Sequence, residues 1–136
     1  MIVDTNVLID LLDGQGGFAE AAASAMADLV GSVRLTVNEI IFAEFAGRFT
    51  DTDATKAFLT GIRVEVVSLS LDDCQRAGNA FHDYRRRGAP RTTILPDFLI
   101  GAQAQGRQWP ILTRDRKRFA TNFADVTLID PMKVSP

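Results

Sequence analysis

Met1-Ile2-Val3-Asp4-Thr5-Asn6 opens the chain, and its reading decides the fold. A short β-branched run ends in an acid, and a polar pair leads into apolar Val7-Leu8-Ile9. Ile and Val suit a pleated, buried surface, so residues 2–4 read as a strand. Open α/β sheets carry their chemistry at the carboxyl ends of strands. Asp4 stands at such an end. Alone it serves equally well as a turn residue, so its weight depends on where other carboxylates fall.

Working outward, Asn6 caps a short helix to about residue 12, which Gly14-Gln15-Gly16-Gly17 breaks. Those glycines follow a helix and lack a Lys-Ser/Thr pair, so they do not form a phosphate-binding loop. The Ala-rich residues 18–30 form a helix. Residues 34–37 read as a strand, and Asn38 caps a helix over 39–49. Asp51 or Thr52 starts a helix that Gly61 ends. Residues 64–69 are the third strand. Ser70 or Asp72 opens a helix to residue 87, closed by Gly88-Ala89-Pro90. After Pro96, Asp97 begins an almost wholly apolar helix. Residues 110–113 and 126–129 are the last strands, 116–119 a helical turn between them, and 131–136 a tail. Alternating strands and helices predict an α/β chain, a three-layer α/β/α sandwich on a parallel sheet. Its 136 residues make a single domain, 1–136.

The bulk composition is that of an ordinary globular protein, 46% hydrophobic and 24% charged. A net charge of −2 excludes a global field that steers the chain onto nucleic acid. Distribution says more. Of 15 cations 12 are Arg, clustered at Arg85-Arg86-Arg87 with Arg91 and at Arg114, Arg116, Lys117 and Arg118. Arg suits bidentate phosphate contacts, although solvated helix ends give the same pattern. The lone Cys74 excludes an internal disulfide and fits a reducing compartment. No leader or membrane-spanning stretch is visible, so the expected location is cytoplasmic, with no membrane partner. His82, in an Arg-rich helix, reads as a surface residue rather than a ligand.

Four acids recur at telling places. Asp4 and Asp115 each follow a parallel strand, and Asp97 begins a helix whose N-terminus opens to the same edge. Glu44 interrupts Ile40-Ile41-Phe42-Ala43-Glu44-Phe45-Ala46, a core-like helix where an unpaired charge is costly. Each has a structural role available: a turn for Asp4, caps for Asp97 and Asp115, an i,i+4 pair with Arg48 for Glu44. Capping does not explain all four together. Clustered carboxylates repel one another. A hard divalent cation removes that cost, and oxygen donors without a His or Cys cluster point to Mg²⁺ or Mn²⁺.

Asp4-Thr5-Asn6, Ile41-Phe42-Ala43-Glu44, Leu95-Pro96-Asp97-Phe98-Leu99-Ile100-Gly101-Ala102 and Leu112-Thr113-Arg114-Asp115 resemble the four acidic motifs of PIN-domain ribonucleases. They look most like the VapC toxins of toxin–antitoxin pairs. The resemblance implies a five-stranded sheet of order 3-2-1-4-5. It implies that Asp4, Asp97 and Asp115 hold the metal, with Glu44 completing the set directly or through water. By the same resemblance, Asn6 and Thr113 orient those ligands. The implied reaction is hydrolysis of an RNA phosphodiester by metal-activated water, leaving a 5′-phosphate and a 3′-hydroxyl. One or two ions, and Asp97 or Asp115 as the base, stay open.

Arg114, Arg116 and Arg118 flank Asp115 and are the nearest RNA-binding candidates. Trp109 offers a stacking platform for a splayed base, or else core packing. The implied partners are a second copy, forming a homodimer, and a cognate antitoxin that covers the acidic pocket. Residues 51–62, with Ala57, Phe58 and Leu59, present an apolar face to such an antitoxin or to their own sheet. An aspartate-based phosphatase is disfavoured because Asn6 stands where it wants a second acid. A non-enzymatic binding module remains the other alternative.

Overall fold

The computed structural model describes residues 1–88 and 93–133. Five parallel strands, β1 (Ile2–Val3), β2 (Leu35–Val37), β3 (Val64–Val66), β4 (Ile111–Leu112) and β5 (Leu128–Ile129), form one sheet of order 3-2-1-4-5. Among the described residues six helices accompany it: α1 (Thr5–Asp13), α2 (Phe18–Leu29), α3 (Glu39–Ala46), α4 (Thr52–Gly61), α5 (Leu71–Arg86) and α6 (Leu95–Arg107). The expected α/β sandwich and strand order are observed. Strands are shorter than the sequence suggests because apolar character runs past the point where pairing stops. Val67, for instance, donates to the Val37 carbonyl, but β2 ends there.

The order places β1 between β2 and β4, with Ile2 opposite both Thr36 and Ile111. The chain winds outward one way through β2 and β3, then restarts beside β1 with β4. That reversal opens a crevice at the carboxyl ends of β1 and β4. Val3 pairs with Leu112, so the next residues, Asp4 and Thr113, emerge side by side.

Local chemistry explains the helix starts. Asp51 caps α4 by accepting from the Ala54 N–H. Ser70, not Asp72, caps α5 and exchanges bonds reciprocally with Asp73. Two expectations are corrected. Asp4, not Asn6, caps α1, accepting from the Thr5 N–H at 2.9 Å. Asp97 sits three residues inside the α6 cap, and its Oδ2 accepts from the Ile94 N–H.

A buried polar chain sets α3 against α6. Asn38 accepts from the Ile40 and Ile41 N–H groups and gives its own amide N–H to Gln103 Oε1 at 3.0 Å. Gln103 in turn donates to the Val67 carbonyl at 3.0 Å. Both side chains are fully buried, so these bonds cannot be exchanged for water. The arrangement fixes the helix that carries Glu44 relative to the one that carries Asp97.

The core lies on both faces of the sheet. Phe45 packs against Phe42, Phe49 and Phe58, and Leu59 is buried. Of the three apolar residues singled out in 51–62, only Ala57 is exposed, so that face serves the protein's own core. On α6, Phe98 meets Phe81, Tyr84 and Phe123. The segment read as a tail begins as a 3-10 turn, Pro131–Lys133, with Pro131 buried. Among the described residues no helix is long and apolar enough to cross a membrane.

Candidate active site

The crevice beside β1 and β4 is a cavity of about 630 Å³ whose lining includes Thr5, Asn6, Glu44, Asp97, Asp115 and Arg118. Asp4 is fully buried behind Asn6 and Arg118, which line the cavity. Its Oδ2 accepts from the Thr113 hydroxyl at 2.8 Å and the Asn6 amide at 3.2 Å. Thr113 Oγ1 also accepts from Asn6 at 3.1 Å and from the Asp115 N–H at 3.0 Å. Asn6 Oδ1 takes the Arg114 N–H at 3.3 Å. Asn6 and Thr113 thus hold Asp4 in one orientation and tie α1 to the loop after β4. Thr5 was not singled out by sequence, yet its hydroxyl donates to Glu44 Oε1 at 2.7 Å. Its place next to Asp4 is the only signal the sequence carries.

Arg118 occupies the centre. Its Nη1 lies 2.5 Å from Asp4 Oδ1, Nη2 lies 3.0 and 2.8 Å from the two Glu44 oxygens, and Nε pairs with Asp97 Oδ1. Acids from β1's end, α3 and α6 therefore converge on one guanidinium. Glu44 pairs with this arginine and not with Arg48, which lies 3.6 Å from Asp13. Asp115 lines the same cavity from an exposed position just before the 3-10 turn Arg116–Arg118.

Burial pushes the Asp4 carboxyl above its usual range, against the pull of Arg118 and the bonds from Thr113 and Thr5; Glu44 repulsion adds to the rise. One guanidinium shared by three acids cannot neutralise all of them. Burial also opposes charge on Arg118, but Asp4, Asp97 and Glu44 more than compensate, and its pKa rises. The sign for stability follows. The folded chain holds the Asp4 proton more tightly than the unfolded chain does. That contribution is complete below the ordinary Asp value of about 4, and it is lost as pH rises through the raised Asp4 value. Metal-free protein should therefore lose urea resistance as pH climbs from about 4 into the weakly acidic range. Asp4→Asn should flatten the profile; an identical slope in that variant would contradict this assignment.

The other cations separate by environment. Arg114, expected at RNA, gives Nε and Nη2 to buried Asp10 at 2.6 and 3.1 Å and lies 4.3 Å over the Phe18 ring. Asp10 was missed, although it lies one helical turn from Asn6 on the same face. Arg116 and Lys117 are exposed. Arg85, Arg86 and Arg87 are exposed on and just past the last turn of α5; Arg86 pairs with Asp83, and Arg87 donates to Asn122. Arg91 lies outside the described residues. Trp109 precedes β4, at the opposite end of the parallel sheet from the acids, between the guanidinia of Arg34 and Arg107. It is not a platform for this cavity. His82 and Cys74 are exposed.

By donor chemistry the acids suit a hard divalent cation, since Asp4, Glu44, Asp97 and Asp115 offer carboxylate oxygens and the cavity lining holds no His or Cys among the described residues. Among the described residues, however, no three His, Cys, Asp or Glu side chains are arranged as a metal-binding group. The carboxylates close around Arg118 instead.

The sequence profile described as the PIN domain matches residues 1–124. The chain belongs to the PIN domain family. Membership in this family of nucleases agrees with an acidic cavity at the sheet's switch point. Solved structures share this PIN fold at low sequence identity. DNA-bound VapBC from Salmonella typhimurium is 18% identical with a TM-score of 0.73, covering 96% of each chain. VapBC-1 from nontypeable Haemophilus influenzae is 20% identical at 0.71, covering 97% of this chain and 98% of that one. A toxin–antitoxin complex from Klebsiella pneumoniae is 20% identical at 0.70, covering 98% of each. No curated protein matches the sequence.

Proposed function

We propose that this PIN domain is a Mg²⁺- or Mn²⁺-dependent endoribonuclease, the toxin of a toxin–antitoxin pair. The observation that carries the reading is the convergence of Asp4, Glu44 and Asp97 on a single positive charge, with Asp115 on the same cavity. Carboxylates from three remote segments would not be assembled at this edge by capping alone. The similarity to VapBC complexes supports a cognate antitoxin as partner, and self-pairing is part of the same proposal.

Asp4, Asp97 and Asp115 would hold the cation, with Glu44 direct or through water. When bound, the cation would lower the pKa of a water and offset charge developing on the phosphate. The chain's own residues supply the rest. Thr113, Asn6 and the Thr5 N–H hold Asp4, the Ile94 N–H holds Asp97, and the Thr5 hydroxyl holds Glu44. Asp97 or Asp115 accepts the proton of the attacking water. Exposed Arg116 and Lys117 beside the cavity hold the phosphate backbone. Because water attacks, no Ser, Cys or His nucleophile is required.

The test is incubation of the purified chain with structured and single-stranded RNA, with Mg²⁺, with Mn²⁺ and with chelator. Internal cleavage with 5′-phosphate ends should appear only with metal. Intact RNA at every metal concentration, or undiminished cleavage in chelator, would overturn the reading.

A further inference from the structure

We propose that Arg118 is an internal occupant of the acidic pocket that must leave before a divalent cation binds, so the position of its side chain governs metal loading. This rests on the metal-dependent reading above. All six carboxylate oxygens of Asp4, Asp97 and Glu44 already accept hydrogen bonds. Asp4 Oδ2 is committed to Thr113 and Asn6, and Asp97 Oδ2 to the Ile94 N–H. The remaining four oxygens, Asp4 Oδ1, Asp97 Oδ1 and both of Glu44, face the guanidinium. Those inward oxygens are the ones a shared ion would need. Guanidinium and metal therefore exclude each other.

The pairing is complete but poorly balanced in charge. Three carboxylates share one monovalent cation, so a divalent ion in the same place compensates them better. Only 12% of the Arg118 side chain is exposed, which makes it a seated plug rather than a rim residue. Its exit is simple. The turn is anchored before Arg118 by the bond of Asp115 N–H to Thr113, and after it by fully buried Phe119. Arg118 lies on a three-residue 3-10 turn with exposed Arg116 and Lys117 beside it. Rotation of this long side chain opens the pocket, with β1, α3 and α6, which position Asp4, Glu44 and Asp97, unmoved.

A site whose open form is only partly populated binds its ligand more weakly by that fraction. Calorimetric titration with Mn²⁺ should therefore find Arg118→Met, similar in length but uncharged, binding on the order of tenfold or more tighter than the unaltered chain. In the unaltered chain, the slowly exchanging Nε–H resonance of Arg118 should be present without metal and vanish as Mg²⁺ saturates. That second measurement decides the matter if Arg118→Met does not fold. Equal Mn²⁺ affinity of the two chains, or a resonance that survives saturating Mg²⁺, overturns the plug while the metal site stands. Failure of both chains to bind Mn²⁺, or Asp4→Asn binding as well as the unaltered chain, overturns the metal reading itself and the plug with it.

Discussion

Asp4→Asn should lower metal-dependent RNA cleavage by more than about a hundredfold while leaving the fold intact. Loss of a group that merely orients a ligand already costs about 10- to 100-fold, and Asp4 is the acid on which the orienting bonds converge. Thr113, Asn6 and the Thr5 N–H all donate to it. Asparagine has the same shape and keeps one oxygen for the Thr5 N–H, so α1 retains its cap. What it lacks is the charge that draws a cation. Its NH₂ stands where Oδ2 was and cannot accept from the Asn6 amide, so that orienting bond is lost. Single-turnover cleavage with Mg²⁺ measures the loss, and thermal melting confirms folding. Cleavage within a few-fold of the unaltered chain would remove Asp4 from the site.

The second large effect is on stability. Gly101→Val should destabilise the protein by more than about 3 kcal/mol, read as a lowered urea midpoint at unchanged slope. A Cβ at Gly101 would stand 2.3 to 2.8 Å from three ring carbons of Phe123. That ring cannot move away cheaply, being buried at 1% exposure and packed edge-to-face with Phe98 at 5.8 Å. Helix propensity points the other way, since replacing a helical glycine by alanine gains about 1 kcal/mol. Even Gly101→Ala should therefore lose stability, because overpacking costs about 1–3 kcal/mol. Phe123→Ala alone should cost about 3–5 kcal/mol. Added to Gly101→Val it should cost much less, because the contacts are shared. Strict additivity would show that the Gly101–Phe123 contact is not the cause. The contact matters for the site because it holds α6, which carries Asp97, against the segment that follows Arg118.

Cavity residues differ in how far their residue type announces them. An acid that ends a strand or interrupts an apolar helix stands out, so Asp4 and Glu44 are visible in the chain, although only Asp4 is buried and Glu44 is exposed. Thr5 and Asp10 are not, because a threonine at a helix start and an acid on an amphipathic helix are ordinary. Arg116, Lys117 and Arg118 are equivalent in sequence. In the structure Arg118, next to buried Phe119, is the one that turns inward, while Arg116 and Lys117 are exposed. The expectation that Arg114, Arg116 and Arg118 hold RNA rested on their nearness to Asp115 in the sequence. Arg114 and Arg118 instead neutralise the acids buried beneath them.

The alternation of strands and helices, the parallel sheet it implies and the four acids in their order are all legible along the chain. Periodicity, capping chemistry and the cost of burying charge are local rules, and each can be applied to a short stretch. Only the tertiary structure decided that Asp4, Glu44 and Asp97 meet, that Asp115 stays at the rim, and that Arg118 fills the centre. These outcomes depend on the register of Val3 with Leu112, the Asn38–Gln103 bond and the Gly101–Phe123 contact. Each joins residues distant along the chain, where no local rule applies.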